Sequence, residues 1–274
     1  MIYSNKIMII DSHVHFGNAL GFNAPCEMVL KSMEKYSIDK AIVSNLQSTE
    51  CDHYCKVLPE ENQVLQIESL KKTVKFARNN KGKIFAALWC KPLLEKPDLD
   101  FVQLIEENLD VVKALKFHPY HSSVCFNDYR IQAFLDVAKN FHLPVITHTG
   151  SGGYDNCDLV YEVAKRYPEI NFIMAHLGLE TDNIHAISLC AKQKNLFGDT
   201  AWVPIKNVVK FIEKCGSEKI LFGTDNPIDG KDTYSQNKKG EPSIYLDYFK
   251  NSEKISSSDY ENLMGKNALR VFNL

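Results

Sequence analysis

Apolar residues along the chain fall into short unbroken runs separated by longer stretches of helical period, the pattern of repeated β-α units. Eight runs stand out: Met8–Val14, Lys40–Leu46, Lys83–Cys90, Ala114–Phe117, Pro144–Thr147, Asn171–Ala175, Asn195–Thr200 and Ile220–Thr224. Within them Ile-Met-Ile-Ile, Ala-Ile-Val, Ile-Phe-Ala-Ala-Leu and Phe-Ile-Met-Ala are continuous rather than alternating. Strands covered on both faces of a parallel sheet read this way. Between the runs, Cys26–Tyr36 places Met28, Val29, Met33 and Tyr36 on one stripe, and Val64–Asn79 does so with Val64, Leu65, Ile67, Leu70, Val74 and Ala77. Tyr129–Phe141 and Leu159–Tyr167 carry similar stripes. Helix-stopping signals follow at Asn80-Lys81-Gly82, His142-Leu143-Pro144, Tyr167-Pro168 and Cys215-Gly216.

Eight such units with right-handed crossovers close most simply into a single (β/α)8 TIM barrel over residues 1–274, regular or distorted. The length of 274 residues agrees with the roughly 250 of one barrel. The rival is a doubly wound open sheet. It would carry a Gly-rich phosphate fingerprint after the first run, and none is present. The polar stretch Asp229–Glu241 follows the eighth run and reads as a long loop on the active-site rim.

Composition narrows the setting. Hydrophobic residues make up 45% and charged residues 24%, as in an ordinary soluble enzyme. A net charge of −2 argues against nucleic acid or an anionic membrane as partner. The apolar stretch Ile7–Ile10 falls far short of the roughly 20 residues of a membrane span, and of a signal peptide's core, so a cytoplasmic protein is expected. The eight cysteines are scattered, without the spacing of a disulfide scaffold.

The candidate chemistry lies where the runs end. Ile9-Ile10 leads to Asp11-Ser12-His13-Val14-His15; Ala114-Leu115 to Lys116-Phe117-His118; Val145-Ile146-Thr147 to His148; Ile173-Met174-Ala175 to His176; and Leu221-Phe222-Gly223-Thr224 to Asp225. A barrel gathers the carboxyl ends of its strands on one face, where barrel enzymes keep their active sites. His13 and His15 are two apart and so point to the same side of a strand. Two imidazoles on one strand, a further imidazole and a carboxylate suit zinc or iron(II) with room left for water. Taken singly, a histidine at a strand end is more often a hydrogen-bonded structural residue, and Thr224–Pro227 reads as a turn. Their ordered recurrence at strand ends favours a shared metal site. The Cys51-x-His53-x-Cys55 stretch could hold a second metal, but three donors without a fourth favour an ordinary loop. Tyr120, His121, Asp199 and Trp202 could line the pocket; Asp199 could instead pair with a cation, and Trp202 could be core.

The ordered set resembles the amidohydrolase superfamily, and within it the amidohydrolase-2 group. It is carried by Asp11–His15, Leu115–Pro119, Pro144–His148, Met174–Gly178, Phe222–Asp225 and the closing segment Met264–Phe272. The resemblance implies one divalent metal, zinc first with manganese or iron as alternatives, held by His13, His15, His148 and Asp225. Asp225 would also take a proton from water, and His176 would act as an acid-base group, or as a ligand to a second metal. Lys116 and His118 are two apart on one strand and both could reach the pocket, where one of them, His118 first, would bind a substrate carboxylate or carbonyl; the alternative is that Lys116 is screened at the rim and His118 only anchors the loop at Pro119. In some members of the family a lysine at the place of Lys116 is carboxylated and bridges two metals. The expected reaction is hydrolysis of an amide, lactone or ester of a small organic acid. The alternative is non-oxidative decarboxylation of an aromatic or dienoic acid, and a third reading is a barrel that binds metal without catalysis. The first motif begins so early that no N-terminal β-sandwich is expected. With four arginines a heavily phosphorylated substrate gains little support. A homodimer is the base-rate expectation.

Overall fold

The computed structural model describes residues 7–228 and 253–274, so the expected rim loop Asp229–Glu241 lies outside the described residues. The strands are β1 (Ile10–Ala19), β2 (Phe22–Ala24), β3 (Lys40–Asn45), β4 (Ile84–Trp89), β5 (Val112–Phe117), β6 (Val145–Gly150), β7 (Phe172–Leu179), β8 (Leu196–Asp199) and β9 (Ile220–Leu221). They form one sheet in the order β2-β1-β3-β4-β5-β6-β7-β8-β9. Every pairing is parallel except that of β2, which folds back antiparallel on the end of β1 through Gly21 at φ 82°. β1 and β3–β9 each overlap one of the eight expected runs, with β1 and β7 reaching several residues further and β9 ending earlier.

The ring closes at a seam between β1 and the chain just past β9. Ser12 N donates to Phe222 O at 2.9 Å, Asp225 N to His13 O at 2.8 Å, and His15 N to Asn226 O at 2.8 Å. The eighth run was expected to be a strand as far as Thr224, yet ladder pairing stops at Leu221. Beyond it the backbone departs from strand geometry, reaching φ 63° at Asp225, and bonds to β1 residue by residue.

Helices return the chain between strands: α1 (Cys26–Lys35), α2 (Gln66–Asn79), α3 (Leu99–Glu106), α4 (Pro119–Ser122), α5 (Tyr129–Asn140), α6 (Cys157–Arg166), α7 (Ile184–Lys192) and α8 (Ile205–Cys215). α9 (Ser257–Glu261), a π-helical turn at Asn262–Lys266 and α10 (Asn267–Phe272) follow. Their starts obey local chemistry. Asp98, Asp128 and Asn156 accept the first free amides of α3, α5 and α6, and Ser256 and Asp259 form a reciprocal capping box on α9. No helix among the described residues is long and apolar enough to cross a membrane. All eight cysteines are free thiols.

Apolar side chains bury in two layers. The larger layer lies between sheet and helices, with Val43, Leu70, Leu88, Leu115, Phe134 and Phe172 among its members. The smaller fills the barrel interior with Ile10, Ile42, Phe85, Ile146, Ile173 and Leu221, and α10 adds Ala268, Val271 and Phe272 to it. With apolar side chains filling that interior, the polar strand ends are left to line the opposite mouth.

Candidate metal centre and cavity

β1 delivers His13 and His15 to the mouth, and the seam brings Asp225 against them. His13 Nε2 lies 3.1 Å from His15 Nε2 and 3.2 Å from Asp225 Oδ1, and His15 Nε2 lies 2.9 Å from the same oxygen. Donors held by a common ion through bonds of about 2.1 Å sit about 3 Å apart, so three nearly buried atoms converging at this spacing fit a divalent metal. Each ring is aimed through its other nitrogen. His13 Nδ1 lies 2.8 Å from Asp199 Oδ2, and His15 Nδ1 lies 2.9 Å from Ser44 Oγ. This is how proteins fix the tautomer and direction of a metal-binding imidazole. Burial pushes both histidines below their ordinary pKa, aided for His13 by the charge of Lys116. Burial also raises Asp225, but the neighbouring imidazoles of His13 and His15 outweigh it and hold its carboxyl well below the usual range.

The seam is tied down beneath these groups. Asp11 accepts from Thr224 Oγ1 at 2.6 Å, Thr224 N at 3.2 Å and His13 N at 3.1 Å. Asp225 Oδ2 accepts the indole N–H of Trp202 at 2.8 Å, which leaves Oδ1 turned to the imidazoles. Asp225 and His176 have positive φ values of 63° and 71°. Such backbone costs of order 1 kcal/mol or more per residue and persists where surrounding bonds impose it. The bonds are Asp225 N to His13 O at 2.8 Å and His176 N to Asp199 Oδ1 at 2.9 Å.

The remaining expected residues surround this cluster at different distances. Lys116 is buried, with Nζ 3.0 Å from His13 Nε2, and desolvation lowers its pKa to about 8. His176 pairs Nδ1 with Ala201 O at 3.1 Å, and burial lowers its pKa to about 3; it can share a second donor group with His13 and Asp199. His148 stands apart from the three converging donors. Its Nε2 is 3.3 Å from Asp155 Oδ2, and its ring stacks on His118 at 3.9 Å and 13°. Six rings close a collar around the mouth: Trp89, His118, His148, His176, His13 and His15, with successive centroids 3.9 to 5.5 Å apart. Above the collar opens a cavity of about 460 Å³, reached also by Tyr120, His121, Trp202 and Asp155.

Two participants are assigned differently by the sequence. Asp199 emerges as the orienting partner of His13 rather than a pocket wall; its signal is that it too ends an apolar run. Asp155 was missed. It is buried under Gly150-Ser151-Gly152, where a side chain at either glycine would meet its carboxylate at 2.6 Å. Cys51, His53 and Cys55 do not join a metal-binding group among the described residues: Cys51 meets Ser123, and Cys55 meets the Tyr120 carbonyl.

Comparison with solved structures supports the fold. 5-Carboxyvanillate decarboxylase LigW from Sphingomonas paucimobilis superposes with a TM-score of 0.70 at 12% identity, over 98% of this chain and 99% of that one. The 5-carboxyvanillate decarboxylase of Novosphingobium aromaticivorans, complexed with manganese and 4-hydroxy-3-methoxy-5-nitrobenzoic acid, gives 0.71 at 9%, over 98% and 97%. A probable 2-pyrone-4,6-dicarboxylic acid hydrolase from Acinetobacter baumannii, with citric acid bound, gives 0.64 at 12%, over 97% and 99%. At such identities the likeness speaks for the fold alone. A search of curated proteins finds no match. The family model for amidohydrolases (Amidohydro_2) matches residues 81–274, most of the barrel together with the His148, His176 and Asp225 strand ends, and the chain therefore belongs to that family.

Proposed function

We infer that the protein is a metal-dependent hydrolase that cleaves an amide, lactone or ester bond of a small organic acid at the barrel mouth. The observation that carries this reading is the convergence of His13 Nε2, His15 Nε2 and Asp225 Oδ1 within 3.2 Å of one another. One divalent metal per chain, zinc first with manganese or iron as alternatives, would be held by His13, His15 and Asp225, with His148 as the further imidazole of the proposed set. When bound, it would acidify water toward a pKa of about 7 and polarise a substrate carbonyl. Asp225, anchored by Trp202, orients the water and accepts its proton. His176 donates Nδ1–H to Ala201 O and so keeps Nε2 as an acceptor, which would relay the proton that Asp225 takes from water to the leaving oxygen or nitrogen. Lys116 supplies positive charge next to His13, and His118 receives the substrate from the cavity side.

Decarboxylation of a planar acid is the second reading. It is favoured by the flat stack of Trp89, His118 and His148, whose neighbouring rings lie 10° and 13° from parallel. The decarboxylases of similar fold act on or bind aromatic acids, which suits such a slot. Oxygen-18 from water entering the product of a screened lactone or amide supports hydrolysis. Labelled bicarbonate exchanging into an aromatic acid, without such incorporation, replaces it with decarboxylation. Metal content by mass spectrometry underlies both: about one ion per chain is expected, lost in a His13→Ala/His15→Ala variant. Retention in that variant would overturn the ligand assignment.

A further inference from the structure

The two imidazoles of the three-donor cluster are each held through Nδ1, His13 by Asp199 and His15 by Ser44. His148 is held through its other nitrogen. Its Nε2 lies 3.3 Å from Asp155 Oδ2, while its face stacks on His118 at 3.9 Å and 13°. The stack sets the plane of the ring, and the carboxylate sets its direction within that plane. Asp155 is 2% exposed, and its second oxygen, Oδ1, has no hydrogen-bond partner among the described residues. Burying a carboxylate in this state costs the fold free energy, which points to a role other than stability. The chain also makes room for it. Gly150 and Gly152 cover the carboxylate, where a Cβ would stand 2.6 Å from Oδ2 and 2.6 Å from Oδ1 respectively. Neither glycine has a positive φ, so the occupied space, not backbone freedom, is what excludes a side chain there. The Gly150 N–H closes the loop on Asp155 O at 3.0 Å, and Asn156, next in the chain, caps α6.

We propose that Asp155 is a positioning residue for His148, holding its hydrogen on Nε2 so that Nδ1 is the lone pair offered to a metal, with Gly150 and Gly152 as the seat of the carboxylate. An ionised carboxylate only accepts, so the hydrogen of a neutral ring facing it belongs on Nε2. A ligating imidazole gives its other N–H to such a group, which fixes the tautomer and orientation and makes the ring a better donor. His148 thus binds through the opposite nitrogen from His13 and His15, whose Nε2 atoms are the ones that converge. The assignment rests on the proposed metal site and its inclusion of His148, and adds to it a residue that acts on the metal only through that ring.

Nitrogen-15 NMR of the metal-free protein, labelled at histidine and held above neutral pH, should find His148 as the Nε2–H tautomer. This is read on the parent chain and depends on no variant folding. In a competitive chelator titration with zinc, Asp155→Ala should bind about 10–100-fold more weakly than the parent. Gly150→Ala, whose added methyl takes the place of Oδ2, should weaken binding in the same direction and have no further effect in the Asp155→Ala background. His148→Ala separates positioning from general loosening. Adding Asp155→Ala to it should cost no more affinity, whereas losses from a structural role would accumulate. Circular dichroism follows the fold of each variant. The Nδ1–H tautomer in the parent, zinc affinity unchanged in Asp155→Ala, or additive losses in the double variant would each overturn the proposal. A parent that binds no zinc would overturn the metal-dependent reading and this assignment with it. Affinity lost in His13→Ala/His15→Ala but kept in Asp155→Ala counts against Asp155 alone.

Discussion

Asp199 is the residue on which the orientation of His13 depends. It accepts at 2.8 Å from the ring and, with its other oxygen, at 2.9 Å from the His176 backbone. Replacing it with Asn removes the charge that fixes the tautomer, and metal affinity should fall about 10–100-fold in a competitive chelator titration. An unchanged affinity would mean that this bond does not aim His13. Asp225→Asn should abolish turnover of whichever substrate the screen yields while leaving the thermal transition of the metal-free protein in place; a variant with undiminished turnover would remove Asp225 from the chemistry. His13, His15, His148, His176 and Asp225 were legible because each ends an apolar run, and strand ends share one face of a barrel. Their partnerships were not. That Asp199 turns to His13, or that Asp155 stands beside His148, depends on distances across the barrel that no local pattern encodes.

At the level of elements, the loops after β3 and β4 are tied by one buried carboxylate. Glu50 Oε1 accepts the amides of Leu93 at 3.0 Å and Leu94 at 2.8 Å, and burial raises its pKa from 4.5 to about 8. The folded form thus keeps a proton that the unfolded chain releases above pH 4.5. Stability from this group falls as pH rises from about 4.5 to about 8, by up to about 1.4 kcal/mol per pH unit. In Glu50→Gln that slope should disappear, seen as a difference from the parent in urea titrations across the window. Parallel slopes would refute the assignment. The long elements were readable from their periodicity, whereas β2 and α4, with three and four residues, are too short to show a period. Both form walls of the cavity, so the least legible elements are among those that shape substrate access.

For the whole molecule, the C-terminal segment is part of the barrel core. Phe272 is buried against the interior layer, and Phe272→Ala should cost about 3–5 kcal/mol in denaturant unfolding. A cost below about 1 kcal/mol would mean that α10 does not pack into that layer as described. On the proposed assignment metal and fold are linked as well, because the proposed ligands straddle the seam: at a hundred times its dissociation constant, zinc or manganese should add about 2.7 kcal/mol to stability. The accompanying rise in melting temperature should be absent from His13→Ala/His15→Ala. The seam has a consequence in time. Ser12 and Phe222 are 210 residues apart in the chain, so while the protein is being synthesised both β1 imidazoles wait for a carboxylate still untranslated. Such distant pairing is slow to form and leaves one edge of the sheet bare meanwhile. Chains interrupted before Asp225 carry the histidines but not the carboxylate, so the three-donor cluster becomes a test of completeness that a partial barrel fails.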